Sequence, residues 1–234
     1  MLGFIRRMMG RADVTDPRQP SALAAALKHY PPYRAPHAGY GAALSESAAA
    51  ENFAFFEAVR EERVRLVADL LREVAGIDAR TALDSPRDAG PPLTVALHAW
   101  AKTAWPPLLD DRPKTMERWL HSGRVGDDIA FSMVLDLAIL LGEIIRQANP
   151  DWRWSLDQSA GSLDDGMASA RRIVLLADPV GDHVEPFILD LEAIVMDRFL
   201  HGDHATQTLL NPLESVVQEA VRGDDIAFWR ASRA

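Results

Sequence analysis

Potential metal ligands are densest between residues 178 and 204, where carboxylates and histidines recur every few positions. Asp197 and His201 are four residues apart, so both side chains would lie on one face of a helix. His204 could reach the same ion from the turn that follows. Because imidazole and carboxylate suit zinc or manganese, this spacing is compatible with a divalent-metal site. A metal-dependent hydrolase using the carboxylates and histidines of residues 182–204 is therefore one functional hypothesis.

The same pattern has a simpler structural explanation. Carboxylates near the start of a helix and histidines near its end are favoured by the helix macrodipole. Metal sites also usually draw ligands from several elements, whereas this group lies at the end of one predicted helix. We therefore expect no cofactor, with zinc or manganese as the alternative.

Two further carboxylates lie within a strongly apolar segment. Asp136 and Glu143 are seven residues apart, so they share one helix face. Two buried carboxylates would have raised pKa values and could transfer protons. The simpler interpretation is that they form the one polar stripe of that helix or pair with arginines, and we assign no catalytic residue from the sequence.

A tryptophan pair follows that segment. Trp152 and Trp154 alternate with Arg153, which is the periodicity of a strand. This alternation predicts that both indoles pack on the apolar helix and that Arg153 lies on the exposed face. Arginine is enriched in binding hot spots, so Arg153 is a candidate partner-binding residue.

Composition excludes several classes of protein. The chain of 234 residues has 25 Lys+Arg against 34 Asp+Glu, a net charge of −9, and no cysteine. It therefore has no disulfide, cysteine-ligated metal or cysteine nucleophile. Net acidity argues against general nucleic-acid binding, which requires cations to neutralise phosphates. The chain also lacks the motifs GxxxxGK[ST], GxGxxG, GxSxG and HExxH.

Hydrophobic periodicity predicts a mainly α (α+β) fold, a bundle-like helical domain with a small antiparallel hairpin or sheet in the C-terminal half. A helix is expected from Ser45 or Ser47 to about residue 74, closed by Gly76. The most apolar helix should extend from residue 127 or 128 to about 148 and lie centrally. Strands are expected near residues 152–157 and 172–176, and further helices over residues 184–200 and up to about 221.

The sequence predicts a partly ordered N-terminal segment over residues 1–20. Residues 21–234 are predicted to form a single mostly helical domain. Residues 84–92 have linker composition and could form a subdomain seam or a long loop. Residues 4–9 could make a short membrane-surface helix. No apolar stretch reaches the roughly 20 residues that span a bilayer, so we expect a soluble, cytoplasmic protein.

The clearest local pattern combines Gly142-Glu143, Arg146, Pro150 and the Trp152/Trp154 pair. An aliphatic strand at residues 173–176, an Asp-Pro turn at 178–179 and an amphipathic helix at 184–200 follow. This pattern, over about residues 134–200, resembles a loose group of uncharacterised bacterial proteins, some of them encoded near toxin–immunity genes. The resemblance implies an accessory or interaction protein, immunity-type, that binds a protein partner.

Gly142 has a physical explanation within this pattern. Without a side chain it would let a tryptophan ring lie directly on the helix backbone, with Glu143 paired to Arg146 or Arg153. Gly142, Glu143, Trp152 and Trp154 are thus predicted to form a structural motif, and Gly142→Leu should destabilise the protein by about 1–3 kcal/mol.

Overall fold

The computed structural model describes residues 21–109, 114–179, 186–202 and 213–223. Helices dominate these residues, and a three-stranded antiparallel sheet lies in the C-terminal half, which confirms the predicted mainly α fold. The helices are α1 (Ala22–Leu27), α2 (Glu46–Ala75), α3 (Arg80–Asp84), α4 (Pro86–Ala104), α5 (Pro106–Leu109), α6 (Met116–His121), α7 (Ile129–Ala148), α8 (Ala160–Asp164), α9 (Leu191–His201) and α10 (Leu213–Arg222). The strands are β1 (Arg153–Leu156), β2 (Ile173–Ala177) and β3 (Phe187–Leu189), and two 3₁₀ turns cover Gly41–Ala43 and Gly126–Asp128.

Helix α7 is the centre of the fold. It is buried on every side over most of its length, as expected for a helix that is apolar nearly all round. Helices α2, α4, α9 and α10 pack around it. This packing places Asp136 and Glu143 inside the protein, so each carboxylate requires a buried partner.

Helix α2 supplies the longest wall of this core. Ser45 caps its start by accepting a hydrogen bond from the Ala48 amide at 3.2 Å, and Gly76 ends it with a left-handed φ of +66°. Phe56 and Val67 are among its buried apolar side chains, and the helix packs extensively on α7. Both ends agree with the sequence prediction because both are set by local capping chemistry.

The sheet has the order β1-β2-β3, and both pairs are antiparallel. Trp154 lies opposite Leu175, and Leu175 lies opposite Leu189. The first two strands match the predicted ones. The third was predicted as the first turn of a helix, and that prediction was wrong over Phe187–Leu189. The helix begins only after Asp190, whose carboxylate accepts a hydrogen bond from the Ala193 amide at 3.0 Å.

The expected loop over residues 84–92 is also wrong, because most of it is helical. Pro86 opens α4, at a position where proline removes no intrahelical hydrogen bond. Gly90 lets the helix approach α7 closely: a Cβ there would lie 2.8 Å from Cγ2 of Ile144. Arg87 Nε donates to the Ala148 carbonyl at 2.9 Å. Tertiary packing thus overrides a composition that is typical of linkers, and the subdomain seam stays a prediction.

The predicted N-terminal segment of residues 1–20, with its membrane-surface helix over residues 4–9, lies outside the described residues. Within the described ranges, no helix combines the length and apolar character needed to cross a membrane.

Candidate functional site: a cavity with aromatic walls and arginines

A cavity of about 360 Å³ lies between α2, α6, α7, the sheet and the segment 33–44. Its floor is the apolar face of α7 at Leu135, Ala138 and Ile139. Elements far apart in sequence meet here, because α2 packs on α7, α6 packs on α9, and the sheet packs on both α2 and α9. The cavity is therefore a product of the whole fold rather than of one motif.

One wall is aromatic and rests on the Gly-Glu pattern of α7. The ring of Trp154 lies so close to Gly142 that a Cβ at position 142 would overlap its Cζ2 and Cη2 atoms. Phe56 contacts the same ring edge-to-face, with centroids 5.0 Å apart. Both rings line the cavity. Gly142 thus determines how far the indole stands back from the cavity.

Glu143 fixes the orientation of that indole. The Trp154 Nε1–H donates to Glu143 Oε1 at 2.7 Å. Arg146 Nη2 lies 2.8 Å from Glu143 Oε2, and Arg60 Nε lies 3.3 Å from Oε1. Glu143 therefore serves as a buried anchor rather than as half of a carboxylate pair.

The other members of the tryptophan motif lie elsewhere. Trp152 is buried in the core, and its Nε1–H donates to the Ala220 carbonyl of α10 at 3.2 Å. Arg153 is on the exposed side of β1 and pairs with Asp178 at 2.6 Å. Of the two partners considered for Glu143, the structure brings Arg146 to it and leaves Arg153 on the surface.

The opposite wall is a charged cluster around Glu192, in the first turn of α9. Glu192 accepts hydrogen bonds from Trp119 Nε1 at 2.9 Å and Arg172 Nη2 at 3.0 Å, and Arg124 Nη2 lies 2.7 Å away. The Arg172 guanidinium also stacks on the Trp119 ring, 4.6 Å from its centroid, and pairs with Asp190 at 2.9 Å. Through Trp119, Arg172 and Glu192, this cluster links α6, the residue that precedes β2 and the start of α9.

The Glu192 carboxylate is held in its ionised form. Burial alone would raise its pKa, but the charges of Arg124 and Arg172 and the hydrogen bonds from Trp119 and Arg172 lower the pKa below its ordinary value. Around neutral pH this group therefore neither gives up nor takes a proton readily. It organises the two arginines instead.

The segment 33–44 is fastened over the cavity by hydrogen bonds to buried side chains. The Tyr33 amide donates to Ser132 Oγ at 2.9 Å. His37 and Asn52 exchange two bonds: the His37 amide donates to Asn52 Oδ1 at 2.9 Å, and Asn52 Nδ2 donates to the His37 carbonyl at 3.0 Å. The loop wall is thus positioned by α2 and α7 rather than by its own secondary structure.

Asp136 holds the residues that precede this segment, through Tyr30 and through Arg63, whose Nη2 also donates to the Pro31 carbonyl at 2.9 Å. Arg63 holds Asp136 with two bonds, Nε to Oδ1 at 2.8 Å and Nη2 to Oδ2 at 2.6 Å, and the Tyr30 hydroxyl donates to Oδ2 at 2.6 Å. Complete burial raises the pKa of Asp136 to about 6, although Arg63 and Tyr30 act in the opposite direction. Asp136 and Glu143 therefore share a helix face but have separate arginine partners.

Two arginines of the cavity have unusual backbones. Arg124 and Arg171 have φ of 57° and 58°, and among the described residues they are the non-glycine positions with positive φ. Such conformations are uncommon for residues with a Cβ. Both side chains line the cavity.

The predicted metal ligands are only partly described. Asp197 is buried and its Oδ1 lies 2.8 Å from His201 Nδ1, while His204 lies outside the described residues. Within the described part of the chain, no three His, Asp or Glu side chains are grouped so that they could hold a metal ion. The prediction of a metal site stays a prediction.

Sequence reasoning missed the cavity itself. Trp119, Arg124, Arg172 and Glu192 come from separate segments, and no periodicity links them. One sequence signal did point to part of this site. Gly142 and Glu143 predicted the packing of a tryptophan on α7, and Trp154 forms the aromatic wall of the cavity.

The chain matches no family model, and no curated protein or solved structure shows significant similarity to it.

Proposed function

We propose that the protein acts by binding a small organic molecule in the cavity between α7, the sheet and the segment 33–44. The observation that carries this proposal is the cavity of about 360 Å³, whose lining combines aromatic and aliphatic side chains with a comparable share of polar and charged ones. Ligand pockets are typically concave spaces of roughly 300–1,000 Å³ that combine apolar walls with polar groups fixing the ligand's orientation.

Binding is favoured over acid–base catalysis by the state of the lining groups. Glu192 is saturated by Trp119 and two arginines, and its pKa is lowered. A general acid or base works best with a pKa near the operating pH. The Ser122 hydroxyl donates to Asp128 at 2.9 Å rather than facing a histidine base. Glu192 and Ser122 thus stabilise the cavity, and the lining histidines His37 and His121 are bonded to the exposed Glu51 carboxylate and to the Glu117 carbonyl.

A fragment screen tests this proposal directly. Aromatic acids, amides and amines of one or two rings should be screened by ligand-observed NMR against the full chain. We expect hits that are lost when the floor is filled by Ala138→Leu or Leu135→Phe. Val95→Leu, on the exposed side of α4, is the matched control and should keep the hits.

Two results would contradict the proposal. One is a folded protein that binds no fragment at millimolar concentration. The other is a set of hits that persists in both filled variants, because those molecules would then bind elsewhere. Thermal melting of each variant confirms that loss of binding is not loss of folding.

A second candidate is the accessory, immunity-type role with a protein partner, favoured by the solvent face of α2. Exposed carboxylates occupy seven positions of this helix, and exposed arginines only two. The acidic positions are Glu46, Glu51, Glu57, Glu61, Glu62, Asp69 and Glu73. A basic partner surface would be attracted to such a face, and complementary charge mainly speeds association.

The partner hypothesis requires a charge-matched comparison. The product of each neighbouring gene should be co-purified with the wild-type chain, with Glu61→Lys/Glu62→Lys, and with Asp164→Lys/Asp165→Lys as the control on another exposed surface. A basic partner should be lost only with the first variant. Equal recovery with all three proteins would reject the role of α2.

The metal-dependent hydrolase has its own test. Elemental analysis of the purified chain should detect zinc or manganese at about one equivalent, and Asp197→Asn should remove it. A metal-free preparation whose melting temperature does not respond to either ion would reject this alternative.

A further inference from the structure

We propose that the ligand of the cavity is a flat carbonyl compound, such as an aryl ketone or amide, whose oxygen accepts a hydrogen bond from the Tyr33 hydroxyl. This inference deepens the proposed small-molecule binding and rests on it. The observation behind it is that Tyr33 is buried and lines the cavity, while its hydroxyl has no partner among the described residues.

The Tyr33 side chain is held in place by the protein on several sides. Tyr33 is 6% exposed, and its amide donates to Ser132 Oγ at 2.9 Å. Phe55 contacts the ring edge-to-face with centroids 5.4 Å apart, and the Cζ atoms of Arg63 and Arg124 each lie 5.8 Å from the ring centroid. A side chain that is already ordered loses little freedom when a ligand binds, which favours affinity.

The Tyr33 hydroxyl differs from that of Tyr30, three residues earlier in the chain. Tyr30 is 8% exposed, and its hydroxyl donates to Asp136 Oδ2 at 2.6 Å. Tyr33 is buried to a similar degree, but no described residue donates to its hydroxyl or accepts from it. Buried tyrosine hydroxyls usually have a hydrogen-bond partner, and an unsatisfied one requires an explanation. An acceptor atom of a ligand in the cavity would be that partner.

The charged groups around this hydroxyl keep it protonated and leave it unbonded. Burial raises the pKa of the Tyr33 phenol above its ordinary value; the Arg124 charge opposes this rise and the Glu192 charge adds to it. Glu192 does not accept from the hydroxyl, because its two oxygens are engaged with Trp119, Arg124 and Arg172. Around neutral pH the Tyr33 hydroxyl is therefore a donor that requires an acceptor from outside the protein.

The two indoles that line the cavity use their polar atoms within the protein. Trp154 Nε1 donates to Glu143 at 2.7 Å, and Trp119 Nε1 donates to Glu192 at 2.9 Å. An indole has a single N–H donor, so neither ring keeps a donor for a ligand. Trp154 and the apolar floor on α7 offer surface for a flat molecule instead. Together with the Tyr33 donor, this surface suits a flat molecule that carries an acceptor.

Three probes with one bicyclic skeleton test the inference. The compound 1-indanone carries a carbonyl acceptor, indane carries no polar group, and protonated 1-aminoindane carries donors only. Their dissociation constants are measured by NMR titration of the isotope-labelled full chain. We expect indanone to bind about three- to tenfold more tightly than indane, which corresponds to one net hydrogen bond. Aminoindane should show no such gain.

Two matched variants identify the hydroxyl. Tyr33→Phe should equalise the affinities for indanone and indane and leave the melting temperature unchanged, because the hydroxyl it removes has no partner among the described residues. Tyr30→Phe should keep the preference for indanone but lower the melting temperature by about 3–12 °C, because it loses the bond to Asp136. A merely structural role of Tyr33 would weaken the binding of indanone and indane alike.

The outcomes separate this inference from the proposed function. A preference for indanone that persists in Tyr33→Phe would overturn the inference, and so would a Tyr33→Phe protein that melts as low as Tyr30→Phe. Equal affinity of the wild type for indanone and indane, with both lost in Ala138→Leu, would leave small-molecule binding intact and overturn the carbonyl ligand. Failure of all three probes to bind would overturn the inference and count against the cavity as a binding site.

Discussion

Gly142→Ala is the sharpest perturbation that the structure offers, because it adds one methyl group at the contact between α7 and the sheet. That methyl group would overlap two ring atoms of Trp154. The ring cannot turn aside freely, since Glu143 holds its Nε1 at 2.7 Å and Phe56 lies against it. Either the strand must move away from the helix or the indole must leave its position.

The expected cost follows from three contributions. Overpacking a core contact costs about 1–3 kcal/mol, and losing a hydrogen bond to a charged acceptor costs about 1.5–3 kcal/mol. Alanine regains about 1 kcal/mol over glycine within a helix. We therefore expect a net loss of about 1.5–5 kcal/mol in the free energy of unfolding, and a larger loss for Gly142→Leu.

Calorimetry and urea unfolding of the two alanine variants Gly142→Ala and Gly161→Ala measure this effect. For a chain of this size, about 1 kcal/mol shifts the melting temperature by about 2–4 °C, so Gly142→Ala should melt about 3–20 °C below the wild type. Gly161 lies in α8 with nothing within 4 Å of an added Cβ. Gly161→Ala should therefore be as stable as the wild type or slightly more stable.

A double variant identifies the cause of the loss. Adding Trp154→Phe to Gly142→Ala removes the overlapping ring, so the combined loss should be at least 1 kcal/mol smaller than the sum of the single losses. Gly142→Ala with wild-type stability, or fully additive losses, would refute the close contact.

Three further predictions concern the buried charges. Arg63→Met leaves the Asp136 carboxylate buried without its main partner, so it should cost about 3–5 kcal/mol at pH 8 and less at pH 5, where the carboxyl is protonated. Arg80→Met, which removes an exposed pair with Asp69, should cost less than about 1 kcal/mol at both pH values by urea unfolding. The pKa of Asp136 is raised from 3.8 to about 6, so its contribution to stability is complete below pH 3.8 and is lost as pH rises to about 6. A pH series of unfolding free energies should show the wild type losing about 3 kcal/mol relative to Asp136→Asn across this range, and a flat difference would refute it. Glu192→Gln leaves Arg124 and Arg172 undercompensated and should cost about 3–5 kcal/mol at pH 7. Because the pKa of Glu192 is lowered, that cost should shrink as pH falls below 4.5, and a cost independent of pH would show that its charge is unimportant.

The sequence predicted the features that depend on neighbours along the chain. The ends of α2 follow from Ser45 and Gly76, and the central position of α7 follows from its apolar periodicity. The close approach of a tryptophan to Gly142 could be expected as well, because a glycine has no side chain and lets an indole ring lie directly on the helix backbone. Each of these features depends on residues close together in the sequence or on a single pair of residues. The pattern of residue types is therefore sufficient to predict them.

Prediction was wrong where a distant partner decided the outcome. Phe187–Leu189 is a strand because β2 offers an unpaired edge, and residues 86–92 are helical because α4 packs on α7. Neither partner is visible from the local composition. Backbone hydrogen bonds must be satisfied somewhere, and only the assembled fold decides where.

The sequence by itself thus determined the helical class, the central helix and the Gly-Glu and tryptophan motif of this protein. Only the tertiary structure decided which residues these features contact and that they enclose a cavity. Asp136 pairs with Arg63, whereas Glu143 pairs with Arg146 and Arg60, and the motif forms one wall of a cavity. Its other wall gathers Trp119, Arg124, Arg172 and Glu192 from separate elements. The physical reason is that a buried charge requires partners, and the fold brings those partners from wherever they lie in the chain.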